Sequence, residues 1–570
     1  MTRFQAFLPR RCLWRIALSA VLLGPAAGAF AAGYPVVTNA RLLHAASDNG
    51  WLMFLRDYTG DSYAPFREIS TRNVSGLKPA WDYKIGMRQG FEGSPIVNGR
   101  YMFVTTPKDH LIAFDAVTGK VLWKYQKSLA GVGLKTVCCD VVNRGVALYG
   151  NNVYMATLDN YVVALNAQTG KVVWQKQIKP ADVGYAMTLA PLTLEGMVIV
   201  GTSGGEYGAR DFVVALDANT GREIWRQYTV PSPGQPGSDT WPKGKIYRHG
   251  GGSAWLTGTY DPSSNTLFWG GGNPGPWLAR LRPGKNLFTD SLQAFNPRTG
   301  QRKWYYQYTP HDSWDYDGVN TPMITSLTYH GRRYQAIVHA DRNGWLYVID
   351  RRTHKLIYAV PFAHAISLAG FRDGLPYTDD AVRPAVGKQI FTCPSFLGGK
   401  NWWPASVDPA THMVYVPTIH TCMTMKGAPT FYKPGLPYLG ETFKVVHDPN
   451  DSNWGALQAF DLDTGKRAWN RETRLPWDAG AMSTAGGLVF SGTPQGHLLA
   501  LDARTGQVLW KSPKLSSGII APPVTYRVDG TQYVAILAGW GGATPIWGGD
   551  MVKSVANIPV GGHLYVYSLK

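Results

Sequence analysis

Short runs of β-branched and aromatic residues, separated by polar turn residues, follow one another along most of the chain. Residues 152–158 and 161–166 are two such runs joined by a short polar turn. Thr169 and Gly170 then turn the chain into a third run at 171–176. This pattern predicts a small antiparallel β-meander. A single meander of this size cannot bury its own apolar faces, so several must pack together.

One sequence pattern recurs at a fixed place in these meanders: alanine, an apolar residue, Asp or Asn, two residues, Thr-Gly, three residues and Trp. Clear copies occur at residues 113–123, 164–174, 215–225, 294–304, 459–469 and 500–510. The starts of these copies are 51, 51, 79, 165 and 41 residues apart. In the long gap, 348–358 is a weaker copy with His354 in place of glycine, and 407–415 is a second degenerate candidate. Residues 77–81 resemble the end of a first copy.

Radial packing of such units buries their faces and leaves only short edges, which is the β-propeller architecture. We therefore predict an all-β fold, a single eight-bladed β-propeller over residues 32–570, with the recurrent tryptophans packed between blades. An array of β-sandwiches is the competing architecture. The connections at 231–252 and 423–455 exceed the minimal blade, and we expect function there.

The first 31 residues predict an export signal instead of a folded element. Basic residues, among them Arg10 and Arg11, precede a mostly apolar run at 16–23, and a small-x-small sequence ends at Ala31. We predict cleavage after Ala31 and a periplasmic protein. The paired arginines leave twin-arginine export open beside the general secretory route.

Composition and charge exclude several classes of protein. Hydrophobic residues make up 45% of the chain and charged residues 16%, which argues against disorder. The formal net charge of +18, about +14 without the leader, suits an acidic partner or a membrane surface. Nucleic acid is disfavoured as a partner because the chain carries an export signal and no basic run.

Cysteine usage points to disulfides. The chain has five cysteines, of which Cys12 leaves with the signal. The four that remain, an even number in an oxidising compartment, are Cys138, Cys139, Cys393 and Cys422. From the residues alone, Cys138 and Cys139 could bond each other, pair one each with the other two, or stay as buried thiols. No Cys-x-x-Cys-His sequence is present, so we expect no c-type haem in the chain.

Several segments depart from the repeat by placing polar residues among glycines and tryptophans. They are found at 91–95, 138–145, 188, 201–206, 250–255, 270–274, 309–318, 341–344, 401–402 and 539–542. In this order the motifs resemble those of the pyrroloquinoline quinone (PQQ)-dependent alcohol dehydrogenases, the methanol and ethanol dehydrogenase family. The resemblance covers essentially the whole mature chain.

The resemblance implies PQQ in a central funnel beside one metal ion and oxidation of alcohols to aldehydes. It also implies transfer of single electrons to a soluble c-type cytochrome, and a homodimer. The overall positive charge suggests that the cytochrome is acidic.

For the cofactor, the resemblance implies a Cys138–Cys139 disulfide against one face of PQQ and Trp255 against the other, which leaves Cys393 to pair with Cys422. The alternative for Trp255 is a blade-packing tryptophan. PQQ carries three carboxylates, which require cations and hydrogen-bond donors at the pocket rim. The other cofactor-binding residues that the resemblance implies are Glu92, Arg144, Thr188, Ser203, Gly204, Gly205, Ser253, Arg342, Asn401, Trp477 and Trp540.

Two of these positions differ from the common family pattern. Ser253 stands where threonine is common, which keeps the hydroxyl group. Asn401 stands where lanthanide methanol enzymes often have aspartate, which favours an ethanol-type substrate.

For the metal, the resemblance implies Glu206, Asn273, Asp315 and Asp317 as ligands. Carboxylate and amide oxygens suit Ca²⁺ or a lanthanide instead of zinc. Asp315 matches the family's catalytic base, and Arg342 would face the quinone carbonyls.

Asp317 distinguishes the two metals, because calcium enzymes of the family usually have an uncharged residue there. The extra carboxylate favours a trivalent lanthanide. A calcium-dependent enzyme, with Asp317 closing a turn before Gly318, is the alternative.

A different class of function also has to be weighed, a propeller without cofactor that serves as an envelope-assembly scaffold. Lipoproteins of that kind need a cysteine directly after the cleavage site and lack the site acids. Here Cys12 lies well upstream of Ala31 and the acids are present, so an enzyme is the preferred interpretation.

Overall fold

Residues 33–129 and 137–570 are described by a computed structural model, and Tyr34–Lys570 form one compact unit. The predicted signal peptide lies outside the described residues. Eight antiparallel sheets carry the predicted meanders, and we number them as blades 1 to 8 in chain order. This count confirms the eight-bladed propeller.

Blades 1 to 4 each use four consecutive strands. Blade 1 contains Ile96–Asn98, Tyr101–Thr106, His110–Asp115 and Val121–Gln126. Blade 2 contains Ala147–Tyr149, Asn152–Ala156, Tyr161–Asn166 and Val172–Gln177. Blade 3 contains Leu192–Leu194, Met197–Gly201, Phe212–Asp217 and Glu223–Tyr228. Blade 4 contains Thr259–Asp261, Thr266–Gly271, Ser291–Phe295 and Arg302–Gln307.

The remaining blades include segments from both ends of the chain. Blade 5 contains Met323–Tyr329, Arg332–Ala340, Trp345–Asp350 and Leu356–Pro361. Blade 6 contains Ser406–Asp408, Met413–Ile419, Gly455–Asp461 and Lys466–Thr473. Blade 7 contains Ala481–Thr484, Leu488–Gly492, Leu498–Asp502 and Val508–Lys511, with Tyr63–Ala64 added in parallel. Blade 8 contains Val524–Val528, Thr531–Ala538 and His563–Ser568, and its fourth strand is Lys78–Lys84.

Blade 8 therefore closes the ring by pairing an early strand with a late one. Lys78–Lys84 runs antiparallel to His563–Ser568, with Trp81 opposite Val566. The prediction that residues 77–81 end a copy of the repeat is explained, because they supply the outer strand of this blade.

The second and third strands of the blades form the core, whereas the fourth strands are at the outside. In blade 3 every residue of Met197–Gly201 is buried. In blade 2 the fourth strand, Val172–Gln177, is exposed except for the half-buried Trp174. Each blade thus packs its apolar faces against its neighbours, as radial packing requires.

The recurrent tryptophans join consecutive blades. The indole N–H of Trp174 donates to the backbone oxygen of Ala218 in the next blade, at 2.9 Å. Its ring covers Gly221 so closely that a Cβ there would come within 2.8 Å of it. Equivalent hydrogen bonds are made by Trp81, Trp123, Trp225 and Trp469. The glycine of the repeat is therefore needed to let the tryptophan approach.

The degenerate copies are resolved differently. At 348–358 the pattern is kept: the Tyr358 hydroxyl donates to the Leu462 backbone oxygen at 2.7 Å, and His354 stacks on Trp304 with ring centroids 4.3 Å apart. An imidazole thus replaces the usual glycine contact. The candidate at 407–415 is wrong, because it spans the first hairpin of blade 6 instead of its third turn. The true copy in that blade is 459–469.

Removal of one docking tryptophan is expected to loosen a single blade interface. Trp174→Ala loses the indole bond and the packing over Gly221, and we expect a loss of about 3 kcal/mol in the free energy of unfolding. Urea denaturation followed by fluorescence and circular dichroism measures this. Val172→Ala, an exposed residue of the same strand, is the control and is expected to change stability by less than about 0.5 kcal/mol. Equal effects of both substitutions would contradict the docking role.

Elements outside the blades are short. Two further sheets contain Leu368–Arg372 with Leu375–Thr378, and Gln389–Thr392 with Thr421–Gly427 and Glu441–His447. The α-helices are Asn39–Leu43, Ala543–Trp547 and Met551–Val555. Within the described residues, no helix combines the length and the apolar composition needed to span a bilayer.

Candidate active site

Eight of the ten polar segments that depart from the repeat contribute residues to one cavity, and segments 270–274 and 539–542 are not among its described lining residues. Consecutive connections of an antiparallel blade alternate between its two ends, so side chains from equivalent connections gather on one face of the ring. Asp341, Arg342 and Asn343, for example, connect the second and third strands of blade 5. The predicted site residues that line the cavity are Glu92, Cys138, Cys139, Arg144, Thr188, Ser203, Gly204, Glu206, Trp255, Asp315, Asp317, Arg342 and Asn401.

A disulfide between adjacent residues forms part of the cavity wall. Cys138 is bonded to Cys139, with Cα atoms 3.8 Å apart. The Trp547 indole N–H donates to the Cys138 backbone oxygen at 3.0 Å. The neighbouring Asp140 carboxylate accepts the backbone N–H groups of Gly90 at 2.7 Å and Gly542 at 3.3 Å. The disulfide and the backbone between the two cysteines close an eight-membered ring, which these contacts hold from two sides. A ring held in this way is suited to support a flat group.

The second predicted pair, Cys393–Cys422, is also bonded. It lies at the start of the segment that brings Phe396, Leu397 and Asn401 to the cavity. The disulfide therefore anchors one wall of the site to the strand Thr421–Gly427.

A buried arginine provides positive charge at one side of the cavity. Arg144 Nη2 lies 2.6 Å from a Glu92 carboxylate oxygen, and Arg144 Nη1 donates to Thr188 Oγ1 at 2.7 Å. Its guanidinium carbon lies 4.8 Å from the ring centre of Trp255 and 4.9 Å from that of Trp402. Burial raises the pKa of Glu92 to about 7, although Arg144 lowers it. A carboxylate-bearing ligand would find a desolvated cation and a hydroxyl here.

Tight backbone turns shape the next wall. A Cβ at Gly204, whose φ is +141°, would lie 2.3 Å from the Gly184 oxygen, so no larger residue fits. The Gly205 N–H donates to Ser253 Oγ at 3.0 Å, and Ser253 Oγ donates to Asp211 at 2.8 Å. Ser253 therefore holds Gly205 in place and is not among the described residues that line the cavity.

Another part of the cavity wall contains three carboxylates, those of Glu206, Asp315 and Asp317. Arg342 contacts two of them. Arg342 Nη1 lies 3.3 Å from Asp315 Oδ2 and Nη2 lies 3.2 Å from Asp317 Oδ2. Arg342 also donates to the backbone oxygens of Asp315 at 2.9 Å and Phe396 at 3.1 Å. Asp315 has a positive φ of 61°, a strained conformation for aspartate that this network maintains.

Asn273 and Trp255 complete this side through hydrogen bonds to Asp317. The Asn273 backbone N–H donates to Asp317 Oδ1 at 2.8 Å, and the Trp255 indole donates to Oδ2 at 2.9 Å. A carboxylate has about four acceptor positions, and Arg342, Trp255 and Asn273 together occupy three, so Asp317 keeps capacity for one further ligand at Oδ1.

The charge balance of this cluster suits a cation. Burial and, second to it, the Asp317 charge raise the pKa of Glu206 to about 7. Burial and then Asp317 raise the pKa of Asp315 well above its ordinary value. In addition, the Oδ1 atoms of Asn273 and Asp315 are buried without a hydrogen-bond partner among the described residues. Hard oxygen donors that lack partners and repel one another are what Ca²⁺ or a lanthanide ion satisfies.

Some of the predicted site residues do not line the cavity within the part of the chain that the structure describes. They are the predicted cofactor-binding residues Gly205, Ser253, Trp477 and Trp540 and the predicted metal ligand Asn273. The Trp477 indole donates to Ser491 at 2.9 Å within a blade core, and Trp540 is buried beneath Gly518. Asn401 does line the cavity, but its amide is used by its own loop: Nδ2 donates to the Leu397 oxygen at 2.8 Å and Oδ1 accepts the Trp402 N–H at 2.9 Å.

The structure adds lining residues that the sequence did not single out. Phe396, Leu397 and Ala543 form an apolar part of the wall, and Tyr207 lies near Glu206. Phe396 packs against Phe443 with ring centroids 4.7 Å apart. Trp402 could have been found, since it directly follows Asn401 in one of the polar segments.

The buried acids predict how the metal-free protein responds to pH. The pKa values of Glu92 and Glu206 are raised by burial to about 7 and that of Asp478 to about 8. An acid whose pKa is higher in the folded than in the unfolded state contributes stability that is fully present below its unfolded-state pKa. This stability is lost as the pH rises through its folded-state pKa. We expect the metal-free protein to unfold at a lower temperature at about pH 8 than at about pH 5.5.

Calorimetry with and without added Ca²⁺ or La³⁺ measures this effect. The cation should restore stability most at the higher pH, where the carboxylates are charged. Stability of the metal-free protein that increases between these two pH values would contradict the prediction.

The chain combines an eight-bladed propeller, a cavity with a disulfide in its wall and a cluster of unsatisfied oxygen donors. These features together are typical of a cofactor-dependent oxidoreductase of the quinoprotein class. The family described as "PQQ: Glucose/ethanol/alcohol dehydrogenase, beta-propeller domain" matches residues 51–369 and 448–534. The chain belongs to this family of PQQ-dependent alcohol dehydrogenases, as its motifs indicated.

Individual members of the family are similar to this chain over nearly its whole length. The quinoprotein alcohol dehydrogenase PedH of Pseudomonas putida is 38% identical over 98% of this chain and 97% of its own length. The lanthanide-dependent methanol dehydrogenase of Methylacidiphilum fumariolicum is 38% identical over 91% of this chain and 92% of its own. Among solved structures, a europium-containing methanol dehydrogenase superposes with a TM-score of 0.88 at 36% identity, covering 93% of this chain and all of the other. The chain is thus a PQQ-dependent alcohol dehydrogenase.

Proposed function

We propose that this enzyme oxidises primary alcohols to aldehydes in the periplasm with a lanthanide ion beside PQQ, and passes single electrons to a soluble c-type cytochrome. The observation that carries the choice of metal is Asp317. It adds a third carboxylate to Glu206 and Asp315 in the same cavity wall. A trivalent ion offsets this much buried negative charge better than a divalent one.

The residues divide between the two groups that they would hold. Arg144 and Thr188 would bind carboxylates of PQQ, with the Cys138–Cys139 disulfide and Trp255 lying against its ring system. Glu206, Asn273, Asp315 and Asp317 would supply oxygen ligands to the metal ion. When bound, PQQ supplies the acceptor for two electrons, and the ion supplies Lewis acidity at its carbonyl.

Asp315 is the proposed general base. Its Oδ1 atom is buried without a partner, while Arg342 contacts its Oδ2 atom. A carboxylate oxygen has two acceptor positions, so Oδ1 can ligate the ion with one and accept the hydroxyl proton of an alcohol with the other. In the metal-free protein, burial raises the pKa of Asp315 well above its ordinary value, so this carboxylate takes up a proton more readily than an exposed aspartate.

Arg342 orients this base and supplies positive charge to the cavity. Four contacts, to two carboxylates and two backbone oxygens, fix its guanidinium. Its charge is therefore in position before the reaction and can stabilise negative charge that develops during turnover.

The apolar wall provides space for the alkyl part of the substrate. Phe396, Leu397 and Ala543 line the cavity, and Trp277 packs behind Phe396 with ring centroids 5.9 Å apart. Water is poorly bound by such a surface, so a methyl or longer alkyl group gains from burial there. This wall supports ethanol or longer primary alcohols over methanol.

Reconstitution tests the proposal directly. The purified protein is loaded with PQQ and either La³⁺ or Ca²⁺, and dye reduction is followed with methanol, ethanol and 1-butanol. We expect turnover with La³⁺ to exceed that with Ca²⁺, and reduction of an acidic cytochrome c to slow as salt increases. Faster turnover with Ca²⁺ would instead favour the calcium-dependent alternative, and absence of turnover with every alcohol would overturn the proposal.

The role of Asp317 has its own test. Asp317→Ala removes one negative charge and one oxygen donor, and we expect La³⁺-supported activity to fall by at least about tenfold while some Ca²⁺-supported activity remains. Asp317→Asn keeps the acceptor oxygen without the charge, and separates the two effects. Unchanged La³⁺ activity in Asp317→Ala would show that this carboxylate does not select the metal.

A further inference from the structure

A second, wider groove lies between blades 4 and 5. It is lined by four arginines, Arg332, Arg333, Arg351 and Arg352, and by the hydroxyl residues Thr59, Ser263, Thr325, Ser326 and Thr353. None of these residues takes part in the active-site cavity.

The topology places this groove at the end of the blades opposite the active site. In blade 5, Arg332 and Arg333 begin the second strand, directly after the turn from the first, and Arg351 and Arg352 lie on the turn from the third strand to the fourth. Arg342 lies on the connection between the second and third strands, at the other end. The six-residue strand Trp345–Asp350 separates them, a distance of about 20 Å.

Most of the positive charge in the groove has no counter-charge. Arg351 is paired with Asp261. The other lining carboxylate, Asp350, accepts hydrogen bonds from the backbone N–H of Arg352 at 3.0 Å and the Thr353 hydroxyl at 2.9 Å, both within its own turn. The side chains of Arg332, Arg333 and Arg352 are exposed and form no ion pair with any residue in 33–129 or 137–570.

Guanidinium and hydroxyl groups together suit phosphate oxygens. The planar fork of arginine matches two oxygens of one phosphate group, and hydroxyls add single donors. Arg332 and Arg333 directly follow the tight turn at Gly331, whose φ is +76°. They therefore project at the tip of a hairpin, where an extended anionic surface can reach them.

We propose that this groove binds the phosphate groups of anionic lipids and holds the enzyme on a membrane surface with its active-site cavity turned away. A membrane fits better than an acidic electron-transfer protein, because a partner in this groove would be separated from the cavity by the length of a blade. Binding here leaves the cavity face open to substrate and electron acceptor.

Sedimentation with lipid vesicles tests the proposal on the PQQ- and metal-loaded enzyme. Vesicles of phosphatidylglycerol in phosphatidylcholine are compared with pure phosphatidylcholine at low and high salt. We expect binding to the anionic vesicles only, weakened by salt. The double substitution R332E/R333E should reduce the apparent affinity at least about tenfold, without changing dye-linked activity or thermal unfolding.

A matched control separates the groove from the overall charge of the protein. K171E/R222E makes the same change on exposed turns of blades 2 and 3 and should retain most vesicle binding. An equal loss in both variants, or no binding of the wild type to anionic vesicles, would overturn the proposal. Calorimetric binding of inorganic phosphate to the groove without vesicle binding would also overturn it, by assigning the site to a soluble anion.

Discussion

Asp315→Asn is expected to lower kcat by about a thousandfold while leaving PQQ binding intact. The amide keeps the size of the carboxylate and its contact with Arg342 at 3.3 Å, but it cannot accept the hydroxyl proton of an alcohol. Steady-state kinetics with PQQ and metal at saturation measures the loss, and the absorption spectrum of bound PQQ shows whether the cofactor is retained.

The control for this substitution is Asp261→Asn, a buried carboxylate that pairs with Arg351 at the opposite end of a blade. It removes a charge of the same kind without touching the cavity and should leave kcat within about twofold of wild type. A similar kcat for Asp315→Asn and wild type, with PQQ and metal bound, would exclude Asp315 as the base.

Arg342→Met is expected to have the second largest effect, a loss of about a hundredfold or more in kcat. The substitution removes the cation that contacts both Asp315 and Asp317 and frees the backbone oxygen of Phe396. Two buried carboxylates then lack their ion-pair partner, so the metal-free protein should also lose about 3 kcal/mol of stability.

Arg342→Lys separates charge from geometry at this position. Lysine restores one positive charge but cannot make the same fork of contacts, so partial recovery of stability and a smaller recovery of kcat are expected. The measurement combines urea denaturation of the metal-free protein with kinetics of the reconstituted enzyme. Full recovery of kcat by lysine would mean that only charge, and not the orientation of Asp315, is needed.

Much of the fold could be predicted because the residues that recur in the repeat are the ones that pack one blade against the next. The tryptophan and the glycine beneath it meet at one blade interface, and the turn aspartate accepts hydrogen bonds within its own turn, so each copy shows the same pattern. The exceptions follow the same physics: His354 replaces glycine by stacking on Trp304. Residues 407–415 resemble a copy of the repeat in composition, but they form the first hairpin of blade 6 and not the turn where the repeat lies.

The candidate site was predictable where charge or covalent chemistry marks it. The adjacent cysteines and the acids Glu206, Asp315 and Asp317 all reach one cavity. Tryptophan is a weaker signal, because this residue type also builds the blade interfaces and cores. Trp477 accordingly proved to be a core residue. Phe396 and Leu397 carried no signal, since their loop belongs to no repeat and only the folded chain shows what they face.

The pairing of Lys78–Lys84 with His563–Ser568 also sets an order on the assembly of this enzyme. This pairing joins segments that emerge at opposite stages of synthesis, and its loop-closure cost is met only when both are available. A partly synthesised chain can form some of the blades, but it cannot complete the circle around the cavity. Formation of the full cofactor pocket therefore has to follow synthesis of almost the entire polypeptide.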